Sequence, residues 1–165
     1  MPRINFNRLN KLALYMQPDQ KSELVIEFSQ SIFELRYKLR KLFQVKLKEA
    51  GISISFEVLE IMKLLRNKDG LNQQELADML FKDKSSMTYI VDNMVKAGLV
   101  TRKEDEADRR NKHIYLTQKA QELQTQLEPL VMHCYQALAA NVSGHDIDAG
   151  IEILTKMNNS LAEFI

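Results

Sequence analysis

The stretch from Lys82 to Thr117, KDKSSMTYIVDNMVKAGLVTRKEDEADRRNKHIYLT, constrains this chain more than any other. Met87, Ile90, Val91 and Met94 recur at i, i+3, i+4 and i+7, which predicts a short helix with one apolar stripe turned to a core. Asp83 stands where an N-cap belongs, able to accept from free N–H groups of the first turn. Gly98 sits where a C′ glycine ends a helix, with Leu99 as its hydrophobic partner. Two strands, about 99–104 and 112–116, then flank a tip carrying Asp108, Arg109 and Arg110. Alternation places Val100, Ile114 and Leu116 toward the core. A helix followed by a two-stranded wing is expected.

The rest of that helix is polar. Lys84, Ser85, Ser86, Thr88, Tyr89, Asn93 and Lys96 lie off the stripe, most of them gathered toward the N-terminus. A helix N-terminus carries partial positive charge and suits phosphate. An α-helix also fits the DNA major groove, where such side chains read base edges. The segment before it matters as much. Asn72-Gln73-Gln74-Glu75 places an Asn cap three residues before Glu, close to a capping box. Leu76, Ala77 and Leu80 form the inner side of a short helix, and the second helix starts four residues later. Two short helices with a tight link make a helix-turn-helix.

The flanks are helical. Residues 1–19 read as an arm with Arg3, Arg8 and Lys11. Residues 20–50 read as one long helix, with Val25, Phe28, Ile32, Leu35, Leu39 and Leu42 in a heptad seam. Phe33, Tyr37, Phe43 and Leu47 give it a second apolar side, which favours a partner helix from another subunit. Gly51 breaks it. Ser55 caps a helix of about 56–67 that buries Phe56, Val58, Leu59, Ile61, Met62 and Leu65, and Asn67 to Gly70 form a turn. Thr117 caps a helix of about 118–141 with Ala120, Leu123, Leu127, Leu130, Val131, Cys134 and Leu138 on its stripe. Pro129 is expected to kink or divide it. A last helix of about 146–163 is expected to bury Ile147, Ile151, Leu154, Met157 and Leu161. The fold class is therefore mainly α (α+β). A winged helix-turn-helix at 51–117 stands between helices of 20–50 and 118–165, which form a dimerisation region.

Composition narrows the function. The 165 residues carry a net charge of +1, so any basic surface must be local. No run of apolar residues is long enough to span a membrane, and MPRINFNRLNK lacks the apolar core of a secretory signal. The single cysteine cannot form an internal disulfide, which fits a reducing compartment. The expected location is cytoplasmic, with no membrane partner. No nucleophile–base pair, paired acids or metal cluster stands out, so an enzyme is not expected, and no cofactor.

The chain resembles the MarR family of transcriptional regulators over nearly its full length. The resemblance is carried by LNQQELADML (71–80), DKSSMTYIVDNMVKAGLVTR (83–102), DEADRRNKHIYLT (105–117) and the long helices on both sides. The Asp-Arg-Arg tip before a strand ending in Leu-Thr is its most specific part. A glycine common soon after that Leu-Thr is Ala120 here, which a helix interior accepts. The resemblance implies a homodimer of two winged lobes binding a pseudo-palindromic double-stranded DNA operator, usually as a repressor relieved by a small molecule or an oxidant. It implies that Lys84, Ser85, Ser86, Thr88 and Tyr89 face the major groove. It implies that Arg110 enters the minor groove, directed by Asp108. Arg102, Arg109 and Lys112 would then bind phosphates nearby.

The effector is less legible. A cleft between dimer helices and winged lobe would be lined by residues such as Phe33, Tyr37 and Met62. Cys134 lies on an apolar stripe and reads as a packed core thiol, away from the N-terminal helices where peroxide-sensing relatives carry theirs. His113, His133 and His145 are too scattered for a metal site. Two rivals stay open: a winged helix used only for protein contacts, and a DNA-binding repressor with no effector.

Overall fold

In a computed structural model the described residues are 19–104, 112–162 and 164. The chain divides into two compact units, Met1–Arg40 and Lys41–Ile165. Helix α1 (Gln20–Glu49) begins in the first unit and ends in the second. The second unit continues with α2 (Phe56–Asn67), β1 (Leu71–Asn72), α3 (Gln73–Met79), α4 (Lys84–Lys96), β2 (Val100–Glu104), β3 (Lys112–Leu116), α5 (Gln118–Ala139) and α6 (Gly144–Leu161).

The helix starts follow local chemistry. Ser55, Asn72, Asp83 and Thr117 each occupy an extended N-cap and accept from the backbone N–H three residues on, and Ser143 does the same for α6. The end of α4 is a Schellman motif. Gly98 N–H donates to Val95 O, Leu99 N–H donates to Met94 O, and Gly98 takes φ 68°. Thr117 then binds the end of α4 to the start of α5: its hydroxyl donates to Gly98 O at 2.7 Å, and its oxygen accepts from Ala120 N–H at 3.2 Å.

The sheet has three antiparallel strands in the order β1-β3-β2, not the two expected. Leu71 and Asn72 pair with Ile114 and His113, so the wing is rooted on the segment that opens the helix-turn-helix. Two residues carry too little alternation to be read as a strand; the pairing exists because Gly70 N–H donates to Ile114 O across the chain. The core behind it comprises Ile61, Met62, Leu65, Leu71, Leu76, Ala77, Met87, Val91, Met94, Leu99, Val100, Ile114 and Ala120. The predicted α4 stripe is thus its floor, with Ile90 packed at the edge.

Three expectations are corrected. Of the two outcomes expected at Pro129, division does not occur, since helix α5 runs unbroken through it; one lost N–H bond is a local defect, and Leu127 and Cys134 are buried on either side of it. No residue of α6 is buried: Ile147, Ile151, Leu154 and Leu161 are exposed and Met157 is half-buried. On α1 within the first unit, Val25, Phe33, Leu35 and Tyr37 are exposed, whereas Phe28, Ile32 and Leu39 are half-buried.

Candidate nucleic-acid interface

The exposed side of the second unit is built on α4. Its buried stripe leaves Lys84, Ser85, Ser86 and Tyr89 exposed, with Tyr89 at 70%. No acidic residue lies within the first turn of the helix, and the carboxylate that is present, Asp83, acts as its cap. Asp83 Oδ1 accepts from Ser86 N–H at 2.8 Å and from the Ser85 hydroxyl at 2.9 Å, while Oδ2 accepts from the Ser86 hydroxyl at 2.6 Å. These bonds, the Ser86 hydroxyl foremost, hold the carboxyl well below the usual carboxylate range. They also define what the serines can do. A phosphate oxygen has no proton to offer, so a serine whose hydroxyl hydrogen is committed to Asp83 meets a ligand as an acceptor.

Thr88 is committed further. Its hydroxyl donates to Lys84 O at 2.8 Å and accepts from Gln73 Nε2 at 2.5 Å, and it is half-buried. Among the described residues, Lys84 and Tyr89 are the side chains in the N-terminal half of this face with no intramolecular partner, and Asn93 and Lys96 are exposed nearer its C-terminal end. A flexible cation and an amphipathic ring are therefore the parts of α4 most available to a ligand.

Arg102 is placed differently from the phosphate-binding role expected of it. In strand register it opposes Ile114, which is wholly buried, so it stands on the core side of the sheet. Its guanidinium lies 2.6 Å from Asp92 Oδ1 on α4, and Nη2 donates to Gln73 Oε1 on α3 at 3.4 Å. Lys103, Tyr115 and His113 occupy the other face. Lys103 Nζ lies 4.7 Å from the Tyr115 ring centroid. His113 Nδ1 lies 2.7 Å from Gly70 O; a carbonyl only accepts, so Nδ1 carries the hydrogen. Lys112 is exposed, with Glu104 at 4.0 Å across the ladder. Asp108, Arg109 and Arg110 lie outside the described residues.

The second unit also holds a cavity of about 480 Å³ between α2 and α5. Phe43, Phe56, Leu59, Met62, Leu127 and Tyr135 form its apolar wall, with Lys63, Arg66, Glu60 and Glu128 also lining it. Phe43 packs on Phe56 at 5.4 Å and edge-on to Tyr135 at 5.6 Å. Of the three residues suggested for an effector, Met62 lines this cavity; Phe33 and Tyr37 are exposed on the first unit, at 74% and 66%. The aromatics that do line it, Phe43, Phe56 and Tyr135, were assigned from sequence to core stripes or passed over. Cys134 is fully buried, and burial pushes its thiol pKa up, with Lys46 opposing. It is therefore held as the unreactive thiol.

Residues 55–112 match the family profile described as MarR family. A curated relative, the transcriptional regulator HosA of Escherichia coli O111:H-, is 23% identical over 100 residues, 61% of this chain and 74% of the relative. Among solved structures, a MarR transcriptional regulator from Methanosarcina mazei Go1 superposes with a TM-score of 0.71 at 23% identity, covering 81% of this chain and 97% of that one. The MepR–DNA complex of S. aureus gives a TM-score of 0.71 at 24% identity, covering 81% and 98%. These likenesses establish the winged-helix fold. Among the described residues no helix is long and apolar enough to cross a membrane.

Proposed function

The chain is a MarR-family transcriptional regulator, and from that premise we propose that it binds a pseudo-palindromic double-stranded DNA operator as a homodimer and acts as a repressor released by a small molecule. The observation that carries this reading is the α4 face: Lys84 and Tyr89 exposed and unpartnered on a helix whose start is fixed by Asp83 and whose opposite stripe is core. Lys84 contacts backbone phosphate, Tyr89 reaches a base edge or sugar, and Ser85 and Ser86 accept from base amino groups. At the wing, Arg110 enters the adjacent minor groove with Asp108 directing it, and Arg109 and Lys112 bind flanking phosphates. The structural neighbour MepR was solved bound to DNA, which supports the same use of the fold here.

The apolar residues left exposed on α1 and α6, within the regions 20–50 and 118–165, support the proposed dimer. The cavity between α2 and α5 is the proposed effector site; its walls suit an apolar or aromatic molecule. The region 51–117 is the DNA-binding part. The chain works in the cytoplasm.

Selection of bound fragments from genomic DNA tests the reading, followed by footprinting and titration at matched salt. Two half-sites about 10 bp apart are expected. Arg110→Ala and Tyr89→Ala should each weaken the selected duplex by about 1–3 kcal/mol. Recovery of no duplex above background, with the protein instead retaining a protein partner through α4, would overturn it in favour of a protein-interaction module.

A further inference from the structure

Arg102, Asp92, Gln73 and Thr88 form one connected polar group that joins three elements. Arg102 comes from the third position of β2 and Asp92 from the third turn of α4, and their charged atoms meet at 2.6 Å. The same guanidinium reaches Gln73, the first residue of α3, at 3.4 Å. Gln73 in turn donates to Thr88 in the middle of α4 at 2.5 Å. Apolar packing of Val100 and Ile114 also joins the wing to α4, and apolar contacts constrain distance more than angle. A guanidinium nitrogen, Nη2, that bonds two helices from one strand constrains angle.

We infer that Arg102 is a positioning residue, which sets the angle between the wing and α4 through Asp92 and Gln73 rather than binding a DNA phosphate. The inference rests on the proposed reading that α4 and the wing engage neighbouring grooves of one duplex. Two observations carry it. Register with buried Ile114 turns Arg102 to the core side of the sheet, whereas Thr101 and Lys103 take the outer side. Its side chain is 27% exposed and its Nη2 already faces a carboxylate, whose charge offsets the attraction the guanidinium would have for a phosphate. In this role the residue contributes nothing to the charge released on DNA binding. It contributes to the simultaneous fit of two reading elements, and therefore to specificity.

The charge logic gives a test with opposite signs. Asp92→Asn removes a negative charge from the DNA-facing unit. If Arg102 were a phosphate ligand restrained by Asp92, this variant would bind all DNA more tightly. For a positioning residue, operator affinity falls about tenfold while a scrambled duplex of equal length is bound within about twofold of wild type. Arg102→Gln should lose operator affinity likewise, with the slope of log K against log salt unchanged; loss of a phosphate contact would lower that slope by about 1. Tighter binding by Asp92→Asn, a lowered slope in Arg102→Gln, or equal losses on both duplexes overturns the inference. Failure of the wild-type protein to select any duplex overturns the functional reading instead. In that event hydrogen exchange decides: Asp92→Asn should speed exchange at the β2 and β3 amides about tenfold and leave α5 unchanged. Unaltered exchange in the wing, or acceleration throughout the protein, also overturns it.

Discussion

Asn72 and Glu75 hold each other through reciprocal hydrogen bonds: Asn72 Oδ1 accepts from Glu75 N–H at 2.9 Å, and Glu75 Oε2 accepts from Asn72 N–H at 2.7 Å. This capping box starts α3 directly after β1, so the sheet and the helix-turn-helix share one fixed point. Asn72→Ala should cost about 1 kcal/mol of stability, read from chemical denaturation. The Asn72 N–H is the main cause of a lowered Glu75 pKa, with Lys68 adding to it. A depressed carboxylate stabilises the fold above its unfolded value, near 4.5, and that contribution is lost as pH falls through the folded value. Asp83 titrates in the same sense. Glu75→Gln should therefore lower the melting temperature at neutral pH, and its difference from the wild type should shrink as pH falls below 4.5. An identical acid limb in both proteins would show that the box does not titrate with folding.

Phe81 closes α3 at a position where glycine is usual. Its φ is 52°, Phe81 N–H donates to Asp78 O and Lys82 N–H to Ala77 O, the two bonds of a Schellman ending. A left-handed conformation costs a side-chain-bearing residue roughly 1–2 kcal/mol. The ring is 94% exposed, so packing returns little. Phe81→Gly should accordingly stabilise the protein by about 1 kcal/mol, a rise of about 2–4 °C in melting temperature. A lower melting temperature would mean that the ring makes a contact that outweighs the backbone strain.

What could be read from sequence divides along the same line as what is local. The caps Ser55, Asn72, Asp83 and Thr117 were legible because donor and acceptor lie three residues apart. The α4 stripe and the glycine ending at Gly98 were legible for the same reason. The β1 strand was not, because Leu71 is defined by pairing with Ile114 far along the chain. The α3 ending was hidden because Phe81 carries none of glycine's signal. At the candidate interface, exposure of Lys84 and Tyr89 followed from periodicity. The commitment of Ser85 and Ser86 to Asp83, and of Arg102 to Asp92, depended on side-chain directions that spacing does not encode. The family resemblance supplied the wing's Asp108 and Arg110, whose positions fall outside the described residues.

Gly70 makes the one tight turn in which a side chain would meet both strain and a wall. Its φ is 80°, and a Cβ there would lie 3.0 Å from Tyr115 Cε1 and Oη. Tyr115 cannot retreat freely, since Lys103 lies over its ring. Gly70→Ala should destabilise by about 1–3 kcal/mol. The combination of Gly70→Ala with Tyr115→Ala should recover the steric share and leave the backbone share. A double-mutant cycle in denaturant measures this split, and strict additivity would show that the ring yields without cost.

Helix α6 supplies the last prediction. No side chain of this 18-residue helix is buried and Met157 alone of its large apolar side chains is half-buried, so packing within the chain supports it weakly. Yet Ile147, Ile151, Leu154 and Leu161 fall on one side and are exposed at 41%, 57%, 38% and 56%. The Glu152–Lys156 pair, with its atoms 3.6 Å apart, occupies a different side of the helix. The proposed homodimer gives the apolar side its cover from a second copy of the chain. Ile151→Asp would place a charge within that cover, where desolvation opposes association. In sedimentation equilibrium at micromolar concentration the wild type should be a dimer and Ile151→Asp largely a monomer. Lys156→Ala, altered on the solvated side, should remain a dimer. A dimer that survives Ile151→Asp unchanged would exclude this face of α6 from the interface, and a monomeric wild type would remove the basis for two half-sites.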